Sequence, residues 1–190
     1  MNPVINFRLA VKEDLPAVYE LNDRFNLKNI HEADRKFGFV TNTYSLKEIA
    51  AVIDAHDMIV MTQDDKITGC LYVINALPQS DILRTRWQNL VDDNKVPADS
   101  LTGFGARIII SKETRHFFYP VHLFKQFFAL NSDRYSCLFS GINKANDVSL
   151  KALVKAYQAT IIDESPEYIY ILFNKDHTIP LVSNNYSGLN

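Results

Sequence analysis

Two periods of hydrophobic and polar positions alternate along the chain, and their order predicts the order of strands and helices. Short runs of apolar, β-branched and aromatic residues are typical of strands, and apolar positions that repeat every three to four residues are typical of helices. The runs predict strands at residues 4–10, 58–62, 67–74, 104–111, 135–142, 159–163 and 168–174. The helical spacing predicts helices from residue 15 onward, at 46–56, at 81–91, at 116–130 and at 147–157.

Two of the predicted helices begin with specific signals. Glu13-Asp14-Leu15-Pro16 places acidic residues and a proline in a first turn, where both are favourable. Ser45-Leu46-Lys47-Glu48 matches a capping box, in which the serine and glutamate side chains each accept a hydrogen bond from a free backbone N–H. These signals fix the starts of the first two helices.

The strand at residues 104–111 differs from the others in its pattern. Its Ile108-Ile109-Ile110 segment has no polar alternation, which predicts burial on both faces at the centre of a sheet. In the helix at 81–91, by contrast, helical spacing predicts one buried face. That face comprises Ile82, Leu83, Trp87, Leu90 and Val91.

The connections between the elements vary in length. Residues 63–66 have the length of a hairpin turn, so we interpret Asp64 and Asp65 as turn residues and not as a catalytic carboxylate pair. Residues 26–44 form a long connection with Gly38 in its middle, which we expect to contain a broken helix. Loops of that length are often binding loops.

Composition limits the class of protein. The 190 residues are 47% hydrophobic and 22% charged, which is typical of a globular domain, so we expect one domain at residues 1–175 and a partly ordered tail at 176–190. Twenty Lys and Arg against 22 Asp and Glu leave a net charge of −2, which argues against nucleic-acid binding. The apolar runs are too short to span a membrane, so a cytoplasmic location is expected.

The cysteines and histidines do not form a metal-binding pattern. Cys70 and Cys137 lie far apart inside apolar runs, so we interpret both as buried thiols. The five histidines are scattered without a second ligand at metal spacing. No metal is therefore expected.

Three segments, taken with the element order, resemble the GNAT (Gcn5-related N-acetyltransferase) superfamily. Residues 7–16 are similar to the family's Arg-containing strand and Glu-Asp-Leu-Pro-like helix start. Residues 35–49 are similar to its Gly-Phe-Leu segment and capped second helix. Asn146-Asp147-Val148-Ser149 is similar to its Asn-x-x-Ser/Ala helix beside the acyl thioester. The resemblance implies an α+β GNAT-like acyl-CoA N-acyltransferase fold, with a central mixed, mostly antiparallel sheet flanked by helices.

The resemblance also implies a set of residues that bind acetyl-CoA or another acyl-CoA. The backbone of the central strand would hold the thioester and pantetheine, the loop that follows would hold the pyrophosphate at a helix start, and the Asn-x-x-Ser helix would lie beside the thioester. The implied residues are Ile108, Ile109, Ile110, Arg115, His116, Phe117, Phe118, Tyr119, Asn146 and Ser149.

The chain departs from the family pattern in the loop and at the general acid. Phe118 and Pro120 stand where the family has small residues, and Pro120 has no N–H to donate to a phosphate. We interpret the aromatic residues from Phe117 to Phe128 as a core helix with Pro120 in its first turn. The alternative is that Arg115, Lys112 and the first free N–H groups of this helix still hold a phosphate or another anion. Leu153 stands where many family members have an acid tyrosine, so Tyr157, one turn further on, is the candidate for that role.

Two functions are compatible with these residues. The first is an acyltransferase that moves an acetyl or other short acyl group from coenzyme A to a primary amine of a small molecule or peptide. The acceptor would approach along residues 26–44 and 76–102, and a homodimer is compatible with the strands near the C-terminus. The alternative is a GNAT-fold binding or regulatory protein with weakened or lost catalysis, as the three substituted positions suggest.

Overall fold

The computed structural model describes residues 4–114 and 118–176, and within them the elements follow the predicted order. The strands are β1 (Ile5–Leu9), β2 (Met58–Gln63), β3 (Lys66–Tyr72), β4 (Thr102–Phe104), β5 (Arg107–Ile110), β6 (Cys137–Asn143), β7 (Thr160–Glu164) and β8 (Tyr168–Asn174). The α-helices are α1 (Leu15–Arg24), α2 (Leu46–Asp54), α3 (Gln79–Asp92), α4 (Phe118–Leu130) and α5 (Asp147–Ala156). The tail predicted to be partly ordered lies outside the described residues from residue 177 onward.

The strands form two four-stranded sheets. One has the order β1-β2-β3-β5 and is antiparallel throughout, and the other has the order β4-β6-β8-β7. In the second sheet only β4 and β6 are parallel. This is the α+β, mixed and mostly antiparallel arrangement that the sequence predicted.

The prediction of a single strand at residues 104–111 is wrong, because this segment contributes to both β4 and β5, which belong to different sheets. Gly105 separates them with a φ of +68°, a conformation that an L side chain rarely adopts. A Cβ there would also overlap the side chain of Ile74. The chain therefore crosses from one sheet to the other at a position that accepts only glycine without strain.

Burial on both faces of the isoleucine run is confirmed, but its predicted place at the centre of a hydrogen-bonded sheet is wrong. β5 is the outer strand of its sheet. Ile109 packs into the apolar cluster beneath α1 and α2, whereas Ile110 packs into the cluster beneath α4. Helices cover both faces of this outer strand, which explains the missing polar alternation.

The predicted helix and hairpin signals match the local structure. The hydroxyl of Ser45 accepts a hydrogen bond from the Glu48 N–H (3.3 Å), and the Glu48 carboxylate accepts one from the Ser45 N–H (2.8 Å), which completes the capping box. Asp64 and Asp65 have φ values of +48° and +65°, as a tight hairpin turn requires.

On α3, Ile82 is 71% exposed, so its predicted place on the buried face is wrong.

Both cysteines are buried, as predicted. Burial raises the pKa of Cys70 to about 12, so its thiol stays neutral. Across residues 4–114 and 118–176, no three His, Cys, Asp or Glu side chains come close enough together to hold a metal ion. In the same ranges no helix has the length and apolar character needed to cross a membrane.

The ion pair between Arg8 and Asp14 holds β1 to the start of α1. Arg8 donates to both carboxylate oxygens of Asp14, at 2.5 and 2.9 Å, and the Val11 N–H donates to the same carboxylate at 2.9 Å. Burial raises the pKa of Asp14, but the hydrogen bonds from Arg8 and Val11 lower it further, so its pKa lies below the usual value. A carboxyl whose pKa is lowered by folding stabilises the fold above its unfolded pKa of about 3.9.

We therefore expect Asp14→Asn to lower the free energy of unfolding at pH 7 by about 1–2 kcal/mol, since charge-assisted hydrogen bonds are lost next to a half-exposed arginine. Urea unfolding at several pH values measures this. The difference from the wild type should narrow as the pH falls through the lowered pKa of Asp14. Asp54→Asn, which breaks an exposed pair with Lys12, should cost no more than about 0.5 kcal/mol. A difference that stays constant from pH 7 to pH 3 would contradict the assignment.

Candidate functional site

The two sheets separate next to β5, and a few specific contacts define the point of separation. β4 pairs with β6 up to Phe104 and Phe139. The Gly105 N–H then donates to the Phe139 carbonyl (2.8 Å), and the Ser140 hydroxyl donates to the Ala106 carbonyl (3.1 Å). Beyond this point β5 pairs only with β3. An open slot therefore lies between β5 and β6.

The ladder between β3 and β5 determines which backbone groups face this slot. The Ser111 N–H donates to the Thr68 carbonyl at 2.7 Å, and the register pairs Ile109 with Cys70. Hydrogen-bonded pairs alternate along an antiparallel ladder, so Ile109 bonds to β3, whereas the backbone groups of Ile108 and Ile110 turn to the open side. The peptide N–H and C=O of Ile108 therefore lie on the edge of β5 that faces the slot.

Two cavities open on this slot and share a wall. The first has a volume of about 350 Å³ and is reached past residues 39–44, α3 and β8. The second has a volume of about 290 Å³ and lies between β5, α5 and the start of α4. The residues that line both cavities are Phe39, Val40, Ile108, Ser149 and Leu153. We call them the acceptor-side cavity and the slot cavity.

The loop around Gly38 is fixed against the start of α5. The Asn146 side-chain amide donates to the Phe39 carbonyl at 2.8 Å. Gly38 has a φ of +92°, and a Cβ there would lie 2.8 Å from the Ser149 hydroxyl oxygen. The two segments singled out by sequence therefore contact each other, and Asn146 and Ser149 position the loop as well as line the cavities.

Asn146 also carries an unsatisfied polar atom. It is 8% exposed, and its Oδ1 is buried without a hydrogen-bond partner among the described residues. The donor bond to Phe39 fixes the orientation of the amide, because the reversed orientation would place two oxygens against each other. Leaving a buried acceptor unpaired costs about 1–3 kcal/mol.

Arg107, at the start of β5, is the one formally charged side chain among the described residues that line the acceptor-side cavity. Its Nη1 donates to the Asn42 carbonyl (3.1 Å) and to the Tyr72 hydroxyl (3.3 Å). Its guanidinium carbon lies 4.5 Å from the centre of the Tyr44 ring. All of these partners are neutral.

The tyrosines around Arg107 remain neutral at physiological pH. Burial raises the pKa of both Tyr44 and Tyr72 above the ordinary value for tyrosine. The Tyr72 hydroxyl donates to Asn22 Oδ1 (2.5 Å), and Asn22 in turn donates to the Val18 carbonyl (2.9 Å). The Tyr72 oxygen is thus left to accept from Arg107, so the positive charge is solvated but not neutralised.

The predicted cofactor-binding residues divide into described and undescribed groups. Ile108, Ile109 and Ile110 all line the slot cavity. Tyr119 is half-buried and packs beside the apolar cluster under α4 without lining either cavity. Arg115, His116 and Phe117, and the side chain of Phe118, lie outside the described residues, so the predicted pyrophosphate loop stays a prediction.

Two described residues, Lys112 and Pro120, flank that loop. Lys112 contacts Asp34 with its ammonium at 2.8 Å, which ties the end of β5 to the acceptor-side loop. Pro120 is the third residue of α4 and lines the slot cavity. Because the first four N–H groups of a helix are free in any case, Pro120 leaves the helix intact but removes one donor from its N-terminus.

The candidate proton donor Tyr157 lines the slot cavity. It is 7% exposed, and its ring centre lies 5.5 Å from that of Phe124. Leu153, at the family's tyrosine position, is buried in the wall shared by the two cavities. The side chain placed nearest to the meeting point of the cavities is therefore apolar, and Tyr157 lies one turn away from it.

The sequence motifs do not single out Arg107 or its tyrosine partners as site residues. The signal was a single cation immediately before three isoleucines, a position that is costly to bury unless it has a role. Tyr44, Tyr72 and Asn42 carry no such signal, because their contact with Arg107 depends on how the loop at residues 38–44 packs on β3 and β5.

Comparison with known proteins identifies the fold. A crystal structure of a GNAT-family acetyltransferase from Listeria monocytogenes superposes with a TM-score of 0.62 at 12% identity, over 91% of this chain and 99% of that one. A diaminobutyrate acetyltransferase from Paenibacillus lautus, solved with L-2,4-diaminobutyric acid and coenzyme A, gives 0.60 at 9% identity over 92% and 96%. The protein yncA from Salmonella typhimurium, solved with its cofactor acetyl-CoA, gives 0.57 at 10% over 91% and 95%. No protein-family model and no curated protein matches the sequence. The chain has the fold of the GNAT acetyltransferases.

Proposed function

We propose that this chain, which has the GNAT fold, transfers an acyl group, acetyl in the simplest case, from coenzyme A to a primary amine. One observation carries the proposal: two cavities approach the open edge of β5 and share the wall that includes Ile108, Ser149 and Leu153. A transferase needs two substrates to meet at one point from separate binding spaces. A protein that binds one ligand needs only one such space.

The slot cavity suits the pantetheine arm of acyl-CoA. Its described lining is largely apolar, and the open-side N–H and C=O of Ile108 offer the kind of peptide hydrogen bond that an amide of pantetheine can make. When bound, acyl-CoA supplies an activated thioester. The residues that would hold it are Ile108, Ile110, Ser149 and Tyr157, with the loop at 115–118 assigned to the pyrophosphate by the resemblance.

The chain's own contribution is mainly positioning. The N–H of Ile108 is placed to donate to a carbonyl oxygen, and the apolar side chains of Phe39 and Leu153 exclude water from the shared wall. No described residue lining either cavity is an Asp, Glu or His. We therefore assign the loss of the ammonium proton to bulk water, before the amine enters the shared wall. Tyr157 would donate a proton to the departing sulfur and regain one from the amine nitrogen as the amide forms.

The acceptor is proposed to be a small molecule that enters the acceptor-side cavity. That cavity has a volume of about 350 Å³, which is within the range for small ligands. The Paenibacillus lautus structure of the same fold holds a small amine, L-2,4-diaminobutyric acid, beside coenzyme A. A small amine at the shared wall would have its nitrogen beside the thioester.

A second candidate function is binding or regulation without turnover. The observations that favour it are the lack of Asp, Glu and His in the described cavity linings and the lost donor at Pro120. In that case the slot cavity would still hold a ligand, but no acyl group would move. Binding without turnover is the result that distinguishes this candidate.

Calorimetric titration with acetyl-CoA tests the proposal, with desulfo-CoA as the non-reactive control. Saturable binding of both ligands at micromolar concentration is expected, because the slot supplies a preformed edge and apolar walls. An amine screen that detects release of the free thiol follows. Saturable binding without thiol release from any amine would favour the second candidate, and no binding up to millimolar ligand would reject both.

A further inference from the structure

We infer that the acceptor-side cavity recognises an amino acid, whose carboxylate binds Arg107. This inference rests on the proposed function for the amine and its fate, but the carboxylate site itself does not. Arg107 is the one formally charged side chain among the described residues that line this cavity. An amino acid carries both an anion for Arg107 and an amine for acylation.

The guanidinium of Arg107 has N–H groups that make no hydrogen bond to the described residues. Nη1 uses both of its N–H groups, one on the Asn42 carbonyl and one on the Tyr72 hydroxyl. Nε and Nη2 donate to no described residue. Neither nitrogen belongs to the buried polar atoms that lack a hydrogen-bond partner. These two nitrogens form the edge of the guanidinium that holds a carboxylate in two parallel hydrogen bonds.

The charge balance of the cavity also favours an anion. Arg107 makes no ion pair with any described Asp or Glu. The described lining contains no acidic side chain at all. An unneutralised cation in a partly buried site is costly, and an anionic ligand would remove that cost.

The surroundings of Arg107 hold it in place for such a ligand. The Tyr44 ring covers one face of the guanidinium, and the Tyr44 hydroxyl donates to Gln79 Oε1 (2.6 Å) at the start of α3. The Asn42 carbonyl that accepts from Arg107 also accepts from the Asn26 side chain (3.3 Å). Because loop, helix and sheet all fix the guanidinium, little conformational entropy is lost when a ligand binds.

The position of Arg107 also orients the amine end of the ligand. Arg107 lines the acceptor-side cavity and not the slot cavity, whereas Phe39, Ile108 and Ser149 line both. A ligand held at Arg107 by its carboxylate would therefore extend its amine toward the shared wall, on the side of the thioester.

Ligand-observed NMR without coenzyme A tests this inference, using the protein amino acids and their matching carboxamides as probes. Each carboxamide keeps the amine and side chain but loses the negative charge. We expect at least one amino acid to bind, and its carboxamide to bind about ten- to a hundredfold more weakly, as the loss of charge-assisted hydrogen bonds predicts. Arg107→Gln, which keeps a polar side chain, should abolish the preference for the acid.

Arg84→Gln is the matched control, because Arg84 lies over the Phe104 ring at 4.9 Å and does not line the cavity. It should keep the full preference. Equal binding of acids and carboxamides, no binding by any amino acid, or an unchanged preference in Arg107→Gln would each overturn the inference. A protein that binds acetyl-CoA but shows one of these results keeps its proposed function, whereas an acid preference without acetyl-CoA binding keeps this site and rejects the transferase.

Discussion

The Ala152→Phe variant is expected to bind acetyl-CoA about tenfold more weakly than the wild type, or weaker still. Ala152 lies on α5, is exposed, and lines the slot cavity. A phenyl ring there would occupy space that the pantetheine arm needs. The ligand could then bind only if the ring moved out of the cavity, at a cost of about 1–3 kcal/mol. The same calorimetric titration measures the loss, and the thermal unfolding midpoint shows that the fold is retained.

Val154→Phe is the control for this effect. Val154 lies on the same helix and lines neither cavity, so a phenyl ring there enlarges a side chain of α5 without filling the slot. Its acetyl-CoA affinity should match that of the wild type. Equal acetyl-CoA affinities for the two variants would mean that acetyl-CoA does not occupy the slot cavity.

Gly105→Ala is expected to lower the free energy of unfolding by about 2–5 kcal/mol. A left-handed conformation costs an L-residue about 1–2 kcal/mol, and the new Cβ would overlap Ile74, which adds about 1–3 kcal/mol of overpacking. Denaturant unfolding measures the change. Because Gly105 is the crossing point between the two sheets, the variant should also lose affinity for acetyl-CoA.

Gly141→Ala provides the comparison for this second prediction. Gly141 lies on β6 next to the slot, and its Cβ would approach Tyr170 to 3.2 Å, a tight contact but without left-handed backbone. A loss of at most about 1.5 kcal/mol is expected there. If both alanine variants lose the same stability, the crossing at Gly105 is not the strained position that its φ angle indicates.

The sequence determined most of the secondary structure, because the signals for it are local. The Ser45 capping box, the hairpin turn at Asp64 and Asp65, and the segment between Arg8 and Asp14 all act within a few residues. The element order built on them was enough to reveal the fold class. Local hydrogen bonds and periodicity need no knowledge of what the other side of the molecule contributes.

Two of the wrong predictions, the single strand at residues 104–111 and the buried position of Ile82, have one physical cause. Gly105 interrupts the strand pattern of residues 104–111, but the pattern does not show that the chain changes sheet there. Ile82 follows the helical spacing of the buried face of α3, yet it lies at the mouth of the acceptor-side cavity. Periodicity reports which residues share a face, but not whether that face meets a neighbouring element or an opening.

The candidate site is divided in the same way between sequence and tertiary structure. Asn146, Ser149 and the isoleucine strand could be found from sequence, since each lies in a short motif. The pairing of Arg107 with Tyr44 and Tyr72 joins residues 35 or more positions apart and depends on three elements packing together. The sequence by itself determined the elements and the fold class, whereas only the tertiary structure decided the slot, its two cavities and the unneutralised charge, because these arise from contacts between distant segments.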